Sequence, residues 1–284
     1  MSKQIALLCG MLLFTMKVVA DTQQPYIYYV NFPVTLLESE ITVSAQYRLP
    51  RNIEEPMPAV VILHSSGGID RTGKFYARKL NRAGIATLEL DMWAARGLLG
   101  GTQNRPSSVQ ETIPDAFAAL AYLANKPEID SERIAVLGFS WGGVVSLLSA
   151  TQQYAPANDF PYQFAAHIAH YPVCWAYNFL PGFELNNLTG APVLIQAAEF
   201  DDYDLPDTCE NLVDSLSNED REYVSLNMYK NAYHAWDRLE QELVVDDIFA
   251  HLGQGGSVTL SPNRKQAFKS RKKVLKFLKA AFEQ

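Results

Sequence analysis

A serine that attacks a carbonyl needs a protruding oxygen, a base to take its proton and N–H donors for the oxyanion it creates. The stretch Gly138–Phe139–Ser140–Trp141–Gly142–Gly143 has the form G-x-S-x-G. That form suits a tight strand-to-helix turn, in which glycines without Cβ relieve the crowding around an exposed serine. The helix that follows offers free N–H groups and a positive dipole end to a developing anion. Ser140 is therefore the candidate nucleophile, and the N–H of Trp141 is one candidate oxyanion donor. A second donor is expected from His64–Ser65–Ser66–Gly67–Gly68, with Ser66 preferred and Ser65 as the alternative.

The base and the acid that orients it must lie further along the chain. Ala198–Glu199–Phe200–Asp201–Asp202–Tyr203–Asp204 is a cluster of acids just past a strand-like run. Asp201 and Asp202 compete there for the orienting role. The spacing fits no consistent calcium loop. Of the five histidines, only His234 and His251 follow this cluster. His234 comes a short loop after the last strand-like run, where a base would hang from a sheet edge. His251 lies between that point and the final helix. His167 and His170 read as core or rim histidines on a strand.

The elements that must position these groups are legible from periodicity. Tyr26–Val34 and Ile41–Arg48 predict a leading hairpin rich in β-branched and aromatic residues. Pro58–Leu63, Ile85–Leu90, Arg133–Gly138, Phe164–His170, Val193–Ala198 and Tyr223–Met228 predict further strands. Helices are expected over Lys74–Arg82, Pro106–Asn125, Val144–Thr151 and Leu205–Leu216. In the long one, Val109, Ile113, Phe117, Leu120 and Ala124 recur at helical spacing. Ser261–Pro262 predicts the cap of a last helix with Phe268, Leu275, Leu278 and Phe282 on one face. Strands alternating with helices imply a mostly parallel sheet covered on both faces, with its site at the carboxyl ends of the strands.

Taken jointly, the loop His64–Gly68, the turn Gly138–Gly143, Tyr171–Pro172–Val173–Cys174, the acid loop to Cys209 and Ala232–Tyr233–His234–Ala235–Trp236–Asp237 resemble the dienelactone hydrolase family. The likeness runs from about residue 58 to the C-terminus. It implies an α/β-hydrolase fold, with a mostly parallel central sheet and helices on both faces. It also implies the chain order Ser, acid, His, with the acid falling on Asp201. The activity implied is hydrolysis of small carboxylic esters or lactones through an acyl-enzyme, with no metal and no organic cofactor. Founding members of the family carry cysteine where Ser140 stands and glutamate where Ser65 stands, so a general ester hydrolase is expected rather than a true dienelactone hydrolase. Relatives with cysteines near both positions imply a Cys174–Cys209 disulfide that fixes the acid loop. Trp93, Arg96 and Trp236 are candidate substrate contacts: Arg96 for a substrate carboxylate, and the tryptophans, with Trp141, as pocket walls.

Composition bounds the partners. The chain of 284 residues is 48% hydrophobic and 19% charged, an ordinary globular balance, and no linker divides it. Residues 1–20 have a basic start, an apolar run and a small-residue end at Ala20, the form of a signal peptide. A single domain over 21–284 and a secreted or periplasmic location are therefore expected. Losing Lys3 and Lys17 takes the net charge from −7 to −9, which argues against nucleic acid as a partner. The run of eight Lys and Arg in Arg264–Lys279 reads as the solvated face of the last helix. No membrane association is expected after cleavage, and two remaining cysteines in an exported chain suggest a bridge. A peptidase or acyltransferase on the same fold, or an exported binding protein without activity, are the alternatives.

Overall fold

A computed structural model of the chain describes residues 24–36, 39–51, 55–156 and 160–283. The expected signal peptide lies outside them. The strands are β1 (Tyr26–Thr35), β2 (Glu40–Leu49), β3 (Met57–Leu63), β4 (Ala86–Asp91), β5 (Ile129–Phe139), β6 (Ala166–His170), β7 (Val193–Phe200) and β8 (Val224–Tyr233). They form one sheet in the order β1-β2-β4-β3-β5-β6-β7-β8. The β1–β2 and β2–β4 pairs are antiparallel, and every later pair is parallel. The fold is α/β, as the alternation predicts.

The strand pleat sends alternate side chains into two cores. In β3, Ala59, Val61 and Leu63 join one apolar cluster, while Val60 and Ile62 join another. The first cluster is covered by α2 (Ile113–Ala124) and α3 (Trp141–Leu148), the second by α1 (Arg71–Asn81) and the C-terminal helix, introduced below. Sheets buried on both faces need near-continuous apolar strands, which is what β3, β7 and the Ile134–Phe139 half of β5 supply.

Three details depart from the periodicity. The long helix expected over Pro106–Asn125 begins instead as a 3₁₀ turn, Val109–Thr112, capped by Ser108 and Glu111. Pro114, in the first turn of α2, has no N–H to continue that turn into one helix. The segment expected as a helix over Leu205–Leu216 is the shorter α4 (Thr208–Asp214), followed by α5 (Asn218–Tyr223). Between β8 and the last helix stands an antiparallel pair, β9 (Leu243–Asp247) and β10 (Gly256–Leu260), joined through the distorted turn α6 (Ala250–Gly253). Sequence reasoning assigned no element there.

The last helix, α7 (Arg264–Ala281), is capped by Asn263, whose side chain accepts the Gln266 N–H at 3.2 Å. Ser261 is not the cap; its hydroxyl donates to Glu242 at 2.6 Å. The buried stripe of α7 is Ala267, Ser270, Val274 and Leu278. Phe268 lies beside that stripe, 40% exposed, against Phe75 and Arg271.

Candidate active site

Ser140 sits at the junction of β5 and α3 with φ 49° and ψ −110°, a strained backbone for a residue with a side chain. The strain is held by packing. A Cβ added to Gly138 would fall 1.8 Å from the carbonyl oxygen of Gly142, and one added to Gly142 would fall 2.4 Å from that of Leu63. Only glycine fits at either place. The Ser140 N–H donates to the His170 carbonyl at 3.0 Å, and the Gly142 N–H to the His64 carbonyl at 3.1 Å. The turn is thus bound to the ends of both neighbouring strands, β6 and β3.

The structure brings together three residues from three loops. His234, directly after β8, has its Nε2 2.9 Å from the Ser140 hydroxyl and its Nδ1 2.8 Å from Asp201 Oδ2. The hydrogen-bond pattern assigns the tautomer: Nδ1–H donates to the carboxylate, so Nε2 accepts from the serine. Asp201, just past β7, accepts the Tyr203 N–H on its other oxygen at 3.1 Å. The rings of Tyr171 and Tyr203 pack on the imidazole at 4.7 and 4.6 Å between centroids. All three polar residues are buried, Ser140 at 8% exposure.

The rival acid turns elsewhere. Asp202 accepts the Thr259 N–H of β10 at 2.7 Å, and its carbonyl accepts the His251 N–H at 2.8 Å. Asp204 accepts the N–H groups of Cys174 and Trp175, each at 2.8 Å. Burial, helped by the charge of Asp201, pushes the Asp204 carboxyl up to about 7 despite those donors. The expected Cys174–Cys209 disulfide is present and ties the loop after β6 to α4. Cys174, Asp204 and Cys209 cluster as metal ligands do, but sulfurs shared in a disulfide offer no thiolate.

On the oxyanion side, the N–H of Trp141 opens α3 and has no acceptor among the described residues. His64 Nδ1 donates to the Ser65 carbonyl at 2.7 Å, and its Nε2 accepts the Met92 N–H at 3.0 Å. Burial pushes this imidazole down to about 4, so it stays neutral in that role. The Ser65 carbonyl also accepts the Gly68 N–H at 3.0 Å. In a trans peptide N–H and C=O point opposite ways, so the Ser66 N–H is directed away from both donors. It too has no acceptor among the described residues.

A cavity of about 340 Å³ opens beside Ser140 and Trp141. Its wall is largely apolar, with Val109, Val144, Val173, Leu180, Phe183 and Phe249, and carries the ion pair Arg105–Asp247. Ser66 is not part of this wall. Neither are the three expected substrate contacts. Trp93 is buried, with its Nε1–H donated to the Ser66 carbonyl at 3.0 Å and its ring against Trp141. Arg96 is engaged by both oxygens of the buried Asp115, at 2.8 and 2.9 Å, and by two carbonyls, leaving it no fork for a substrate carboxylate. Trp236 is fully buried and packs on His170, Tyr171 and Tyr229, because the chain turns inward after His234. Trp141 does line the cavity, held by a bond from its Nε1 to Thr112.

Sequence reasoning missed Arg105, Tyr203, Asp247 and Phe249. Arg105 and Asp247 lie 142 positions apart, so no local spacing joins them.

Beneath the site lies a second histidine–aspartate pair. His170 Nδ1 donates to Asp237 Oδ2 at 2.9 Å, and the same carboxylate accepts the hydroxyls of Tyr76 and Tyr171, each at 2.7 Å. His170 Nε2 accepts from the Gln196 amide at 2.6 Å, and Gln196 also reaches Ser270 and Tyr229. Burial and the Asp237 charge hold both tyrosine hydroxyls well above their usual range, so they remain donors.

A model of the dienelactone hydrolase family matches residues 43–282. A candidate carboxymethylenebutenolidase of Methylorubrum extorquens is 28% identical over 109 residues, which are 35% of this chain and 38% of that one. The chain spans less than two thirds of the length of the curated relatives it matches. Among solved structures, Thermogutta terrifontis esterase 2 phosphorylated by paraoxon is similar at a TM-score of 0.61 and 13% identity, covering 89% of this chain and 95% of that one. P91, a dienelactone hydrolase-like promiscuous phosphotriesterase from metagenomic libraries, is similar at 0.59 and 18%, covering 90% and 98%. At these identities the structural likenesses show the fold.

Proposed function

The chain belongs to the dienelactone hydrolase family, and on that premise we propose that it is an exported serine hydrolase of small carboxylic esters or lactones. One observation carries the proposal: a serine on a strained strand-to-helix turn, in line with a histidine and a carboxylate, facing a largely apolar cavity. In the proposed mechanism His234 takes the Ser140 proton as the oxygen attacks the ester carbonyl. The oxyanion is received by the Trp141 N–H at the start of α3, with Ser66 the second donor. His234 then protonates the leaving alcohol and activates water against the acyl-enzyme. Asp201 holds the imidazole tautomer and stabilises the imidazolium formed at each step. Catalysis requires neutral His234, because only a neutral imidazole can take the serine proton. Export is proposed from residues 1–20, and the Cys174–Cys209 bridge supports it, since such bonds persist in oxidising compartments.

The test is hydrolysis of nitrophenyl esters of increasing acyl length by the protein from Asp21 onward, with Ser140→Ala alongside. Turnover by the wild type and a loss of at least ~10³-fold in the variant are expected. A fluorophosphonate probe should label Ser140. No turnover and no labelling would overturn the proposal.

A further inference from the structure

The cavity beside Ser140 contains a cation that is already answered by an anion. Arg105 Nη2 donates to Asp247 Oδ1 at 2.8 Å, and the Asp247 side chain is fully buried. Its oxygens also accept the Tyr203 hydroxyl at 2.8 Å and the Phe249 N–H at 3.0 Å. The guanidinium lies over the rings of Trp141 and Phe249 at 5.4 and 5.5 Å. Both charges are therefore fixed, and together they cancel. Arg105 and Asp247 are the only Lys, Arg, Asp or Glu among the described residues that line the cavity.

Resting on the ester-hydrolase reading, we propose that this site takes esters whose acyl group is uncharged, and that Asp247 is the residue that sets this preference. A carboxylate entering the cavity loses its water and needs a cation in exchange. Arg105 cannot serve as one without opposing Asp247, which lies within hydrogen-bond distance of the same guanidinium. Like charges brought that close in a dry site repel strongly. The other Arg105 nitrogens have no acceptor among the described residues. They suit an uncharged oxygen on the acyl chain, such as a hydroxyl, an ether or an amide carbonyl. Asp247 reaches the cavity from β9, far along the chain from Ser140, and its hydrogen bonds go to Arg105, Tyr203 and Phe249 rather than to Ser140 or His234.

The test compares two nitrophenyl esters of nearly equal shape, the pentanoate and the monoester of glutaric acid, which differ by a terminal carboxylate. Wild-type kcat/KM should favour the pentanoate by about tenfold or more. Asp247→Asn should shrink or invert that ratio by about tenfold, because the guanidinium is then free to pair with the glutarate carboxylate. Arg105→Gln, which leaves Asp247 facing the acyl chain alone, should enlarge the ratio. A wild type that turns over the glutarate monoester as well as the pentanoate overturns the inference while leaving the hydrolase reading intact. Turnover of neither ester, with Ser140 unlabelled by a fluorophosphonate, overturns both. If Asp247→Asn fails to fold, the wild-type ratio and Arg105→Gln still decide.

Discussion

Two histidine–aspartate pairs lie on neighbouring strand ends with almost the same geometry. His234 meets Asp201 at 2.8 Å and His170 meets Asp237 at 2.9 Å, each through Nδ1. Each leaves Nε2 as an acceptor. What differs is what Nε2 meets. For His234 it is the Ser140 hydroxyl at the edge of a cavity, and for His170 it is the Gln196 amide in a sealed core. The second pair is completely buried, and its carboxylate is saturated by two tyrosine hydroxyls and the imidazole. An imidazole oriented by a carboxylate is therefore only half of a catalytic unit. The nucleophile and the open space decide which pair can work.

The two pairs touch through Tyr171. Its hydroxyl donates to Asp237, and its ring packs on His234. The His170 carbonyl also receives the Ser140 N–H. The buried pair acts as a foundation for the open one, a structural role. If the contrast holds, the two aspartates separate activity from stability. Asp201→Asn should lower kcat by about 10³–10⁴-fold, because a carboxamide cannot stabilise the imidazolium and favours the wrong tautomer. Thermal unfolding should move little. Asp237→Asn should do the opposite. It leaves three buried donors facing a neutral amide and should cost about 3–5 kcal/mol of stability. The folded fraction should retain activity within about tenfold, and its pH profile should keep its shape. A kcat collapse in a well-folded Asp237→Asn protein would break the contrast.

His64 and His167 make no hydrogen bond to a carboxylate among the described residues, and the comparison extends to them. Burial pushes each down to about 4, from an ordinary value near 6.5. The unfolded chain thus binds protons between pH 6.5 and 4 that the folded chain does not. Stability must rise with pH across that window, and fall as the solution is acidified through it. The ceiling is on the order of 3 kcal/mol for each histidine. Buried carboxyls work against them: Asp204, raised to about 7, Asp70, raised to about 6, and Glu89 and Asp115, also raised by burial, protonate more readily in the folded state, so acidification from pH 7 to 4 favours folding there. Denaturant unfolding of the wild type and His167→Asn at pH 7, 5.5 and 4 separates the histidine's share from that of these carboxyls. On acidification from pH 7 to 4 the variant should lose less stability, or gain more, than the wild type. An unchanged slope in that variant would mean that His167 is not held neutral.

The legible parts of this molecule are those whose signals are local. The strained turn at Ser140 is written in six consecutive residues, and β3, β5 and β7 in their apolar runs. His234 was legible because it is the histidine that follows the last strand of the sheet, where a base would hang. Illegible features depend on partners remote in sequence. Arg96 stands past a strand end, as a substrate contact should, yet Asp115 claims it from α2. Trp236 lies two residues past His234, but the backbone at Ala235, with φ 54°, turns it into the core. The β9–β10 pair has short strands around glycines and no sustained period, so Asp247 and Phe249 gave no warning that they would wall the cavity.

The smallest predicted effect concerns the acids that the sequence alone left in competition. Asp201 and Asp202 are adjacent and both anionic, yet only the first faces His234. Asp202 spends its carboxylate on the Thr259 N–H, pinning β10 against the acid loop. Its substitution by alanine removes one charge-assisted bond at a partly exposed position, worth about 1–2 kcal/mol. The imidazole keeps its partner, so kcat/KM for a neutral ester should stay within about threefold of the wild type. Because β9 and β10 carry Asp247 and Phe249 to the cavity, the residual effect should appear in KM before kcat. A kcat loss in Asp202→Ala as large as that in Asp201→Asn would mean that the loop exchanges its two carboxylates at the histidine. An unchanged kcat assigns the orienting role to Asp201 and leaves Asp202 as a clasp between the acid loop and β10.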